Sequence, residues 1–169
     1  MLDFKECGTE TEKMERSASS LSRIRLRIGY AVTGTSLGLL VLIVFLADEK
    51  FRNYHVACWG GFSSLFAMVC LFLHLQHNKD NSKERYIPVL SILLIIGLVT
   101  QMGCIVAFFT YIVMAVEQKQ DLTTLNCNPC GYYLASIWVF MSWKWSFLTF
   151  LYARMYRNIY TVRYGEIID

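Results

Sequence analysis

Four long apolar runs constrain this chain more than any other feature of its sequence. They cover residues 28–47, 55–76, 89–116 and 131–152. Each approaches or exceeds the ~20 residues that a helix needs to cross the hydrocarbon core of a bilayer. Because lipid offers backbone amides no hydrogen-bond partner, such runs are expected to be helical. The sequence therefore predicts an all-α, polytopic membrane protein with four transmembrane helices embedded in the lipid bilayer.

Polar segments flank and connect these runs. Residues 1–27 form a polar N-terminal segment, 28–152 the four-helix transmembrane domain, and 153–169 a polar tail. Residues 1–27 contain no apolar stretch of the kind found in a signal peptide. The connections are short, so consecutive helices are predicted to pack as antiparallel neighbours. The net charge of +3 is too small and too scattered to indicate nucleic-acid binding.

The distribution of lysine and arginine predicts the orientation of the chain. Twelve of these residues lie in the N-terminal segment, the second connection and the tail, and three lie in the first and third connections. Cytosolic segments of membrane proteins carry the excess of basic residues. Both termini are therefore predicted to be cytosolic, and the third connection to face the exterior or the lumen of an organelle.

The third connection contains the motif CNPC, Cys127 to Cys130. An oxidising compartment favours a disulfide between the two cysteines. The alternative is a thiolate site for a metal or metallocofactor, although a zinc site usually needs two further ligands. The predicted compartment favours the disulfide.

Lys144 stands between two tryptophans inside the fourth apolar run, deeper than snorkelling easily explains. A lysine at a helix centre costs roughly 2.5–3.5 kcal/mol on insertion scales and normally has a partner. Adjacent residues of a helix diverge by about 100°, so neither Trp143 nor Trp145 is expected to cover the ammonium. The four runs contain no Asp or Glu, so the counter-charge is expected to arrive with a substrate. A cation–π contact, or hydrogen bonds to carbonyls of another helix, is the alternative.

The second run carries a stripe of small residues that ends in a histidine. Its members recur at three- and four-residue steps and therefore share one helix face: Gly60, Ser63, Ala67, Cys70 and His74. Such a stripe usually permits close helix packing. The histidine needs a hydrogen-bond partner at this depth, and imidazole is also a common ligand of metals and haem iron.

The fourth run leads into the sequence YARMYRNIY. If the helix continues, Tyr152 and Tyr156 share one face, and Arg154 and Arg157 lie on the opposite side. An aromatic belt with basic residues at a cytosolic interface explains this pattern from composition alone. The same side chains also suit a flat aromatic macrocycle that bears carboxylates.

The run GYYLASIWVFMSWKWSFLTFLYARMY, 131–156, resembles the last span of the haem-responsive-gene (HRG) family of haem transporters. Members of this family are small four-helix permeases with cytosolic termini. The resemblance implies that haem is the transported substrate, moved from the exterior or an endolysosomal lumen to the cytosol. It implies His74 as a ligand of the haem iron, and it offers the propionates as partners of Lys144 or of the basic cytosolic edge. It also assigns Tyr152, Arg154 and Tyr156 to a C-terminal haem motif, in which tyrosine replaces the family's phenylalanine and methionine its lysine.

The family's exoplasmic loop histidine has no counterpart in the third connection, where Lys119 is nearest to the aligned position. The candidates for an exoplasmic haem contact are Lys119, Cys127, Cys130, His55 and Tyr111. A transported cargo must be held strongly enough to be admitted and weakly enough to be released. We therefore predict a relay of single, exchangeable axial contacts rather than one closed bis-histidine site.

Two other functions remain open: a tetraspan adaptor, in which Lys144 pairs with an acid of a partner protein, and a haem-sensing membrane protein. No catalytic arrangement is recognised, so an enzyme is not predicted. The sequence YGEI, Tyr164 to Ile167, matches a pattern used by clathrin adaptors and predicts an endolysosomal or plasma-membrane location. A homo-oligomer is a further hypothesis, since four helices enclose little room for a macrocycle.

Overall fold

The computed structural model describes the backbone of residues 3–49, 52–78, 86–120 and 131–168, and the side chains of 22–49, 52–77, 86–120 and 131–162. Its helices are α1 (Asp3–Ala47), α2 (Tyr54–Asn78), α3 (Ile87–Glu117) and α4 (Tyr132–Ile168). Within these ranges, four helical segments are long and apolar enough to cross a membrane: Ser22–Ala47, Tyr54–His77, Ile87–Glu117 and Tyr132–Val162. The predicted all-α architecture with four spans is confirmed.

Polar side chains and glycine define the helix ends. Asn53 is the N-cap of α2: its Oδ1 accepts a hydrogen bond from the backbone amide of Val56 at 3.2 Å. Gly131 precedes α4 with a φ of 94°, which suits a residue without a Cβ. Gln120 caps α4 from the end of α3: its Oε1 accepts the amides of Gly131 at 3.1 Å and Tyr132 at 3.0 Å.

The helices pack side by side in the order α1, α2, α4, α3. As predicted for consecutive helices, α1 packs against α2 and α3 against α4. The expectation is wrong for the pair α2 and α3, because the backbones described for these two helices do not pack together. Instead, α2 packs parallel to α4, so the second and fourth spans form the inner pair of the bundle.

The small-residue stripe explains why α2 takes the inner position. Toward α4, Cys70 Sγ lies 3.2 Å from Thr149 Oγ1. Toward α1, a Cβ on Gly38 would lie only 2.8 Å from the carbonyl oxygen of Gly60, so the two backbones are nearly in contact. All members of the stripe are buried: Gly60, Ser63, Ala67, Cys70 and His74. The packing interpretation of the stripe is therefore confirmed.

Large apolar side chains are exposed on the outward faces of α1 and α3. Examples are Leu40 and Ile43 on α1, and Ile95, Val99, Val106 and Phe109 on α3. Contiguous apolar surface of this kind is rare in soluble monomers, and it suits contact with acyl chains. Together with the four spans, these faces are those of a multi-pass membrane protein.

The bundle has two distinct ends. At the terminal end, α1 and α3 begin and α2 and α4 finish; at the far end, the directions are reversed. Helix continues at the terminal end beyond the predicted spans, since α1 starts at Asp3 and α4 runs to Ile168. The cytosolic orientation of the terminal end, and the division into segments 1–27, 28–152 and 153–169, stay predictions.

Candidate functional site

His74 is buried near the terminal end, between α2 and α4. Its side chain is 2% exposed. Its Nδ1 lies 2.8 Å from the hydroxyl oxygen of Tyr156, and its ring packs edge-to-face on Tyr152 with 4.4 Å between ring centroids. Tyr156 thus supplies the hydrogen-bond partner that a buried imidazole needs. Three of the predicted haem-binding residues are brought together here.

The same kind of contact repeats one turn further along both helices. His77 Nδ1 lies 3.2 Å from the Tyr160 hydroxyl, and its ring stacks on Tyr156 with centroids 4.3 Å apart. Three phenols spaced four residues apart on α4 therefore face two imidazoles on α2. We call this set the His–Tyr ladder: His74, His77, Tyr152, Tyr156 and Tyr160.

Sequence reasoning found only part of the ladder. Neither His77 nor Tyr160 is among the haem-binding residues predicted from the sequence. The four-residue spacing of Tyr152, Tyr156 and Tyr160 was the available signal, because such residues occupy one helix face. The pairing of α2 with α4, which gives that face its partners, was not predicted.

The ladder has a definite chemical capacity. When His74 Nδ1 donates its proton to Tyr156, Nε2 presents a lone pair to a metal ion, and the hydrogen bond fixes the ring. Because His74 is almost fully buried, a neighbouring side chain has to move before a large ligand reaches it. Tyr152 is only partly buried and packs on the imidazole, so it is well placed to act as this movable cover.

Arg154 lies away from the ladder. With Arg157 it lines an open depression of about 330 Å³ between α3 and α4, whose apolar side is formed by residues such as Leu94 and Phe150. The predicted division of this sequence, with tyrosines on one face and arginines on the other, is confirmed. Arg154 therefore does not contact the side chains around His74.

Lys144 contacts two aromatic rings. Its Nζ lies 4.7 Å from the ring centroid of Trp145 and 5.2 Å from that of Tyr30 on α1. The expectation that neither flanking tryptophan covers the ammonium is wrong, because the long lysine side chain reaches the ring of the next residue. The cation–π alternative is the arrangement observed.

The ring contacts offset a large part of the cost of placing this charge in a membrane. The two cation–π contacts together contribute about 1–4 kcal/mol, and insertion of a lysine at a helix centre costs roughly 2.5–3.5 kcal/mol. The rings leave the positive charge itself in place, so a further anionic partner for Lys144 is compatible with this arrangement. That it binds a propionate stays a prediction.

A second aromatic cluster lies at the far end. His55 Nδ1 is 3.0 Å from the Tyr111 hydroxyl oxygen, and the Trp59 indole N–H donates to the same oxygen at 3.2 Å. Tyr132 packs against His55 and Tyr111 with ring centroids 5.7 and 5.9 Å away. We call these four residues the far-end cluster. Two candidate exoplasmic contacts, His55 and Tyr111, thus lie together, and sequence reasoning missed the other two members.

The remaining candidates are more dispersed. Lys119 is exposed just after α3, with a φ of 50°. Cys127 and Cys130, with their predicted disulfide, lie outside the described residues. Tyr164 to Ile167 falls in the last part of α4, where the backbone is helical.

Two comparisons with known proteins give matches. Residues 90–145 match a protein-family model described as haem-transporter, endosomal/lysosomal, haem-responsive gene. This stretch includes Lys144, and it excludes His74 and Tyr152. Over 148 residues, the chain is 26% identical to a Caenorhabditis elegans protein named Heme transporter hrg-1, covering 88% of this chain and 75% of that protein. No solved structure matches the chain.

Proposed function

Because the chain is related to the haem-responsive-gene family of haem transporters, we propose that it carries haem across a membrane, from the exterior or an endolysosomal lumen to the cytosol. The structural observation that supports this most is the buried pair of His74 and Tyr156, hydrogen-bonded at 2.8 Å. Haem is the substrate in this proposal and not a resident cofactor.

The ladder supplies the contacts near the terminal end. His74 ligates the haem iron through Nε2 once Tyr152 has moved aside, and Tyr156 holds the imidazole in the required orientation. Histidine and tyrosine are both established axial ligands of haem iron. Imidazoles and phenols alternate along the ladder, so the iron can exchange one contact for the next as haem moves toward the terminal end.

The far-end cluster takes the place of the missing loop histidine. His55 is exposed and is tied to Tyr111 by a hydrogen bond, so an imidazole and a phenol stand at the entrance that faces the exterior or lumen. Lys119, Cys127 and Cys130 are the other candidates on this side. None of these contacts has to be strong, because haem must leave each of them.

Basic residues complete the path by meeting the propionates. Lys144 lies between the two clusters along α4, and its ring contacts do not neutralise its charge. Arg154 lies on a different face of α4 from the ladder, so it acts on haem at the exit. We place the chain in the endolysosomal or plasma membrane, with Tyr164 to Ile167 as a site for clathrin adaptors. A homo-oligomer would enclose the macrocycle more fully than one bundle.

The decisive experiment is haem flux into liposomes that contain the purified full chain. Haem is added outside, and its arrival is read from the activity of an apo-peroxidase trapped inside. The wild-type chain is expected to exceed empty liposomes, and His74→Ala to reduce the rate roughly ten-fold or more, as loss of a metal-site residue typically does. Leu75→Ala is the matched control, because this neighbouring side chain is exposed on the outer surface.

The outcomes separate the proposal from its alternatives. Flux no faster than in empty liposomes contradicts a transporter. Haem binding without flux would instead favour the haem-sensing protein, and the absence of both binding and flux would favour the tetraspan adaptor. Undiminished flux in His74→Ala removes His74 from the path without affecting the transport function itself.

A further inference from the structure

The helices α1 and α4 meet through side chains along a line that we call the α1–α4 seam: Arg27, Tyr30, Lys144, Trp145 and Tyr152. The Arg27 guanidinium carbon lies 5.4 Å from the ring centroid of Tyr152. About one turn along α1, the ring of Tyr30 packs on Trp145 at 5.0 Å and contacts Lys144 Nζ at 5.2 Å. Two cations from different helices therefore stand along the same seam.

The spans provide almost no acid to balance these cations. Ser22–Ala47, Tyr54–His77 and Tyr132–Val162 contain no Asp or Glu, and Ile87–Glu117 has one, at its last residue. Charges that are removed from water without a counter-ion are costly. Aromatic rings attract a cation but do not cancel its charge. A ligand with two carboxylates, bound along the seam, would supply one negative charge to Arg27 and one to Lys144.

The seam adjoins the ladder. Tyr152 is shared, since its ring lies 4.4 Å from the His74 ring and 5.4 Å from the Arg27 guanidinium, which puts the imidazole and the guanidinium within about 10 Å of each other. A macrocycle whose iron is held by His74 therefore has its edge within reach of Arg27. Movement of Tyr152 would open the imidazole and the guanidinium to the same ligand.

We propose that the α1–α4 seam is a dicarboxylate subsite, in which Arg27 pairs with one propionate of haem and Lys144 with the other. The guanidinium of Arg27 is suited to this task because its planar fork binds a carboxylate through two parallel hydrogen bonds. The inference rests on the proposed function, and it names the part of the cargo that these two cations recognise. Nothing in the sequence motif at 152–156 points to Arg27, which lies on another helix.

The test compares haem with haem dimethyl ester, which keeps the iron and the macrocycle but lacks free carboxylates. Binding to the full chain in lipid nanodiscs is measured by absorbance titration. The wild-type chain is expected to bind haem about ten-fold or more tightly than the ester, in line with hydrogen bonds to charged groups. Arg27→Gln is expected to weaken haem binding about ten-fold and to leave ester binding unchanged.

Arg25→Gln is the matched control. It removes the same charge two residues away, from a side chain that is exposed, and it is expected to bind haem like the wild-type chain. Arg27→Lys keeps the charge and should retain most of the preference for haem over the ester. Lys144→Gln should reduce that preference independently, which keeps the test decisive if Arg27→Gln does not fold.

The results distinguish this inference from the proposed function. If Arg27→Gln and Lys144→Gln both bind haem as tightly as Arg25→Gln, the dicarboxylate subsite is wrong and haem transport still stands. Equal affinity of the wild-type chain for haem and its ester would also contradict the subsite alone. If the wild-type chain binds neither porphyrin, both the subsite and the proposed function are overturned.

Discussion

The hydroxyl of Tyr156 is the hydrogen-bond partner of the buried imidazole of His74. Where water is excluded, a polar atom left without its partner costs more free energy than the intact hydrogen bond contributes to folding. Tyr156 is itself buried, so water cannot easily replace its hydroxyl. The hydrogen bond between His74 and Tyr156 therefore stabilises the protein without haem. It also affects the binding of any ligand to His74.

Tyr156→Phe is expected to destabilise the fold by about 1–3 kcal/mol, because it leaves His74 Nδ1 buried without its phenol. The measurement is unfolding of the full chain in detergent, followed by circular dichroism. Tyr54→Phe is the control, since it removes the same hydroxyl from an exposed side chain at the far end. Equal stability of the two variants would show that the hydrogen bond at 2.8 Å contributes nothing measurable.

Lys144→Met is expected to slow transport without destabilising the protein. Replacing a lysine inside a spanning helix by an apolar side chain of similar length removes an insertion cost of roughly 2.5–3.5 kcal/mol. It also removes the two cation–π contacts, so we expect stability to stay the same or to rise slightly, whereas loss of the propionate partner should slow haem flux. Unfolding in detergent and flux into liposomes measure the two effects. A destabilised variant with unchanged flux would indicate that Lys144 is purely structural.

At the scale of single residues, sequence reasoning succeeded where periodicity alone was enough. Tyr152 and Tyr156 lie on one helix face because they are four residues apart, and His74 closes a stripe that has to be buried. Arg27 and Tyr30 carry no such signal. Their importance depends on how far α1 is shifted along α4, and this register follows from side-chain packing that a single sequence does not reveal.

At the scale of helices, α2 holds the bundle together because it packs against both α1 and α4. Its contact with α1 depends on glycine, since a Cβ on Gly38 would lie 2.7 Å from Ser64 Cβ and 2.8 Å from the Gly60 carbonyl oxygen. Such short distances to backbone atoms cannot be relieved by a rotamer change, so the helices would have to separate.

Gly38→Ala is therefore expected to destabilise the protein by about 1–3 kcal/mol through overpacking. Gly29→Ala, in the same helix, is the control, because a Cβ there would meet nothing within 4 Å beyond its chain neighbours and the nearby backbone of its own helix. Both changes raise helix propensity equally. The difference between their melting temperatures in detergent therefore measures the effect of the contact between Gly38 and α2. A Gly38→Ala melting temperature at or above that of Gly29→Ala would contradict the close packing of α1 and α2.

The existence of the helices was easier to predict than their neighbours. Each apolar run is long enough to span a bilayer, and in lipid a helix satisfies its own backbone. The choice of α4 as the partner of α2 depends on matching small and hydroxyl-bearing residues, such as Cys70 and Thr149, in two distant parts of the sequence. Short connections favour consecutive helices as neighbours, as for α1 with α2 and α3 with α4. The closer fit of α2 to α4 outweighs that preference for the pair α2 and α3.

At the scale of the whole molecule, the arrangement of charge predicts how the bundle lies in a membrane. The terminal end carries Arg27, Arg154 and Arg157, and basic residues are retained on the cytosolic side. An epitope tag at either terminus is therefore expected to bind antibody only after cells are permeabilised. A tag in the connection at 121–130 should be labelled on intact cells or, for an organelle membrane, protected from a cytosolic protease. Surface labelling of either terminus would reverse the proposed direction of transport.

The α1–α4 seam has a consequence for the surrounding bilayer. On one side, α1 packs closely against α2 through its backbone. On the other side, it contacts α4 through a few long side chains. Haem bound at the α1–α4 seam would also contact lipid acyl chains along its edge. Its escape sideways into a leaflet would therefore compete with its transport along the helices. Changing the thickness or fluidity of the lipid should therefore alter the fraction of haem that completes the crossing, even when every protein contact is unchanged.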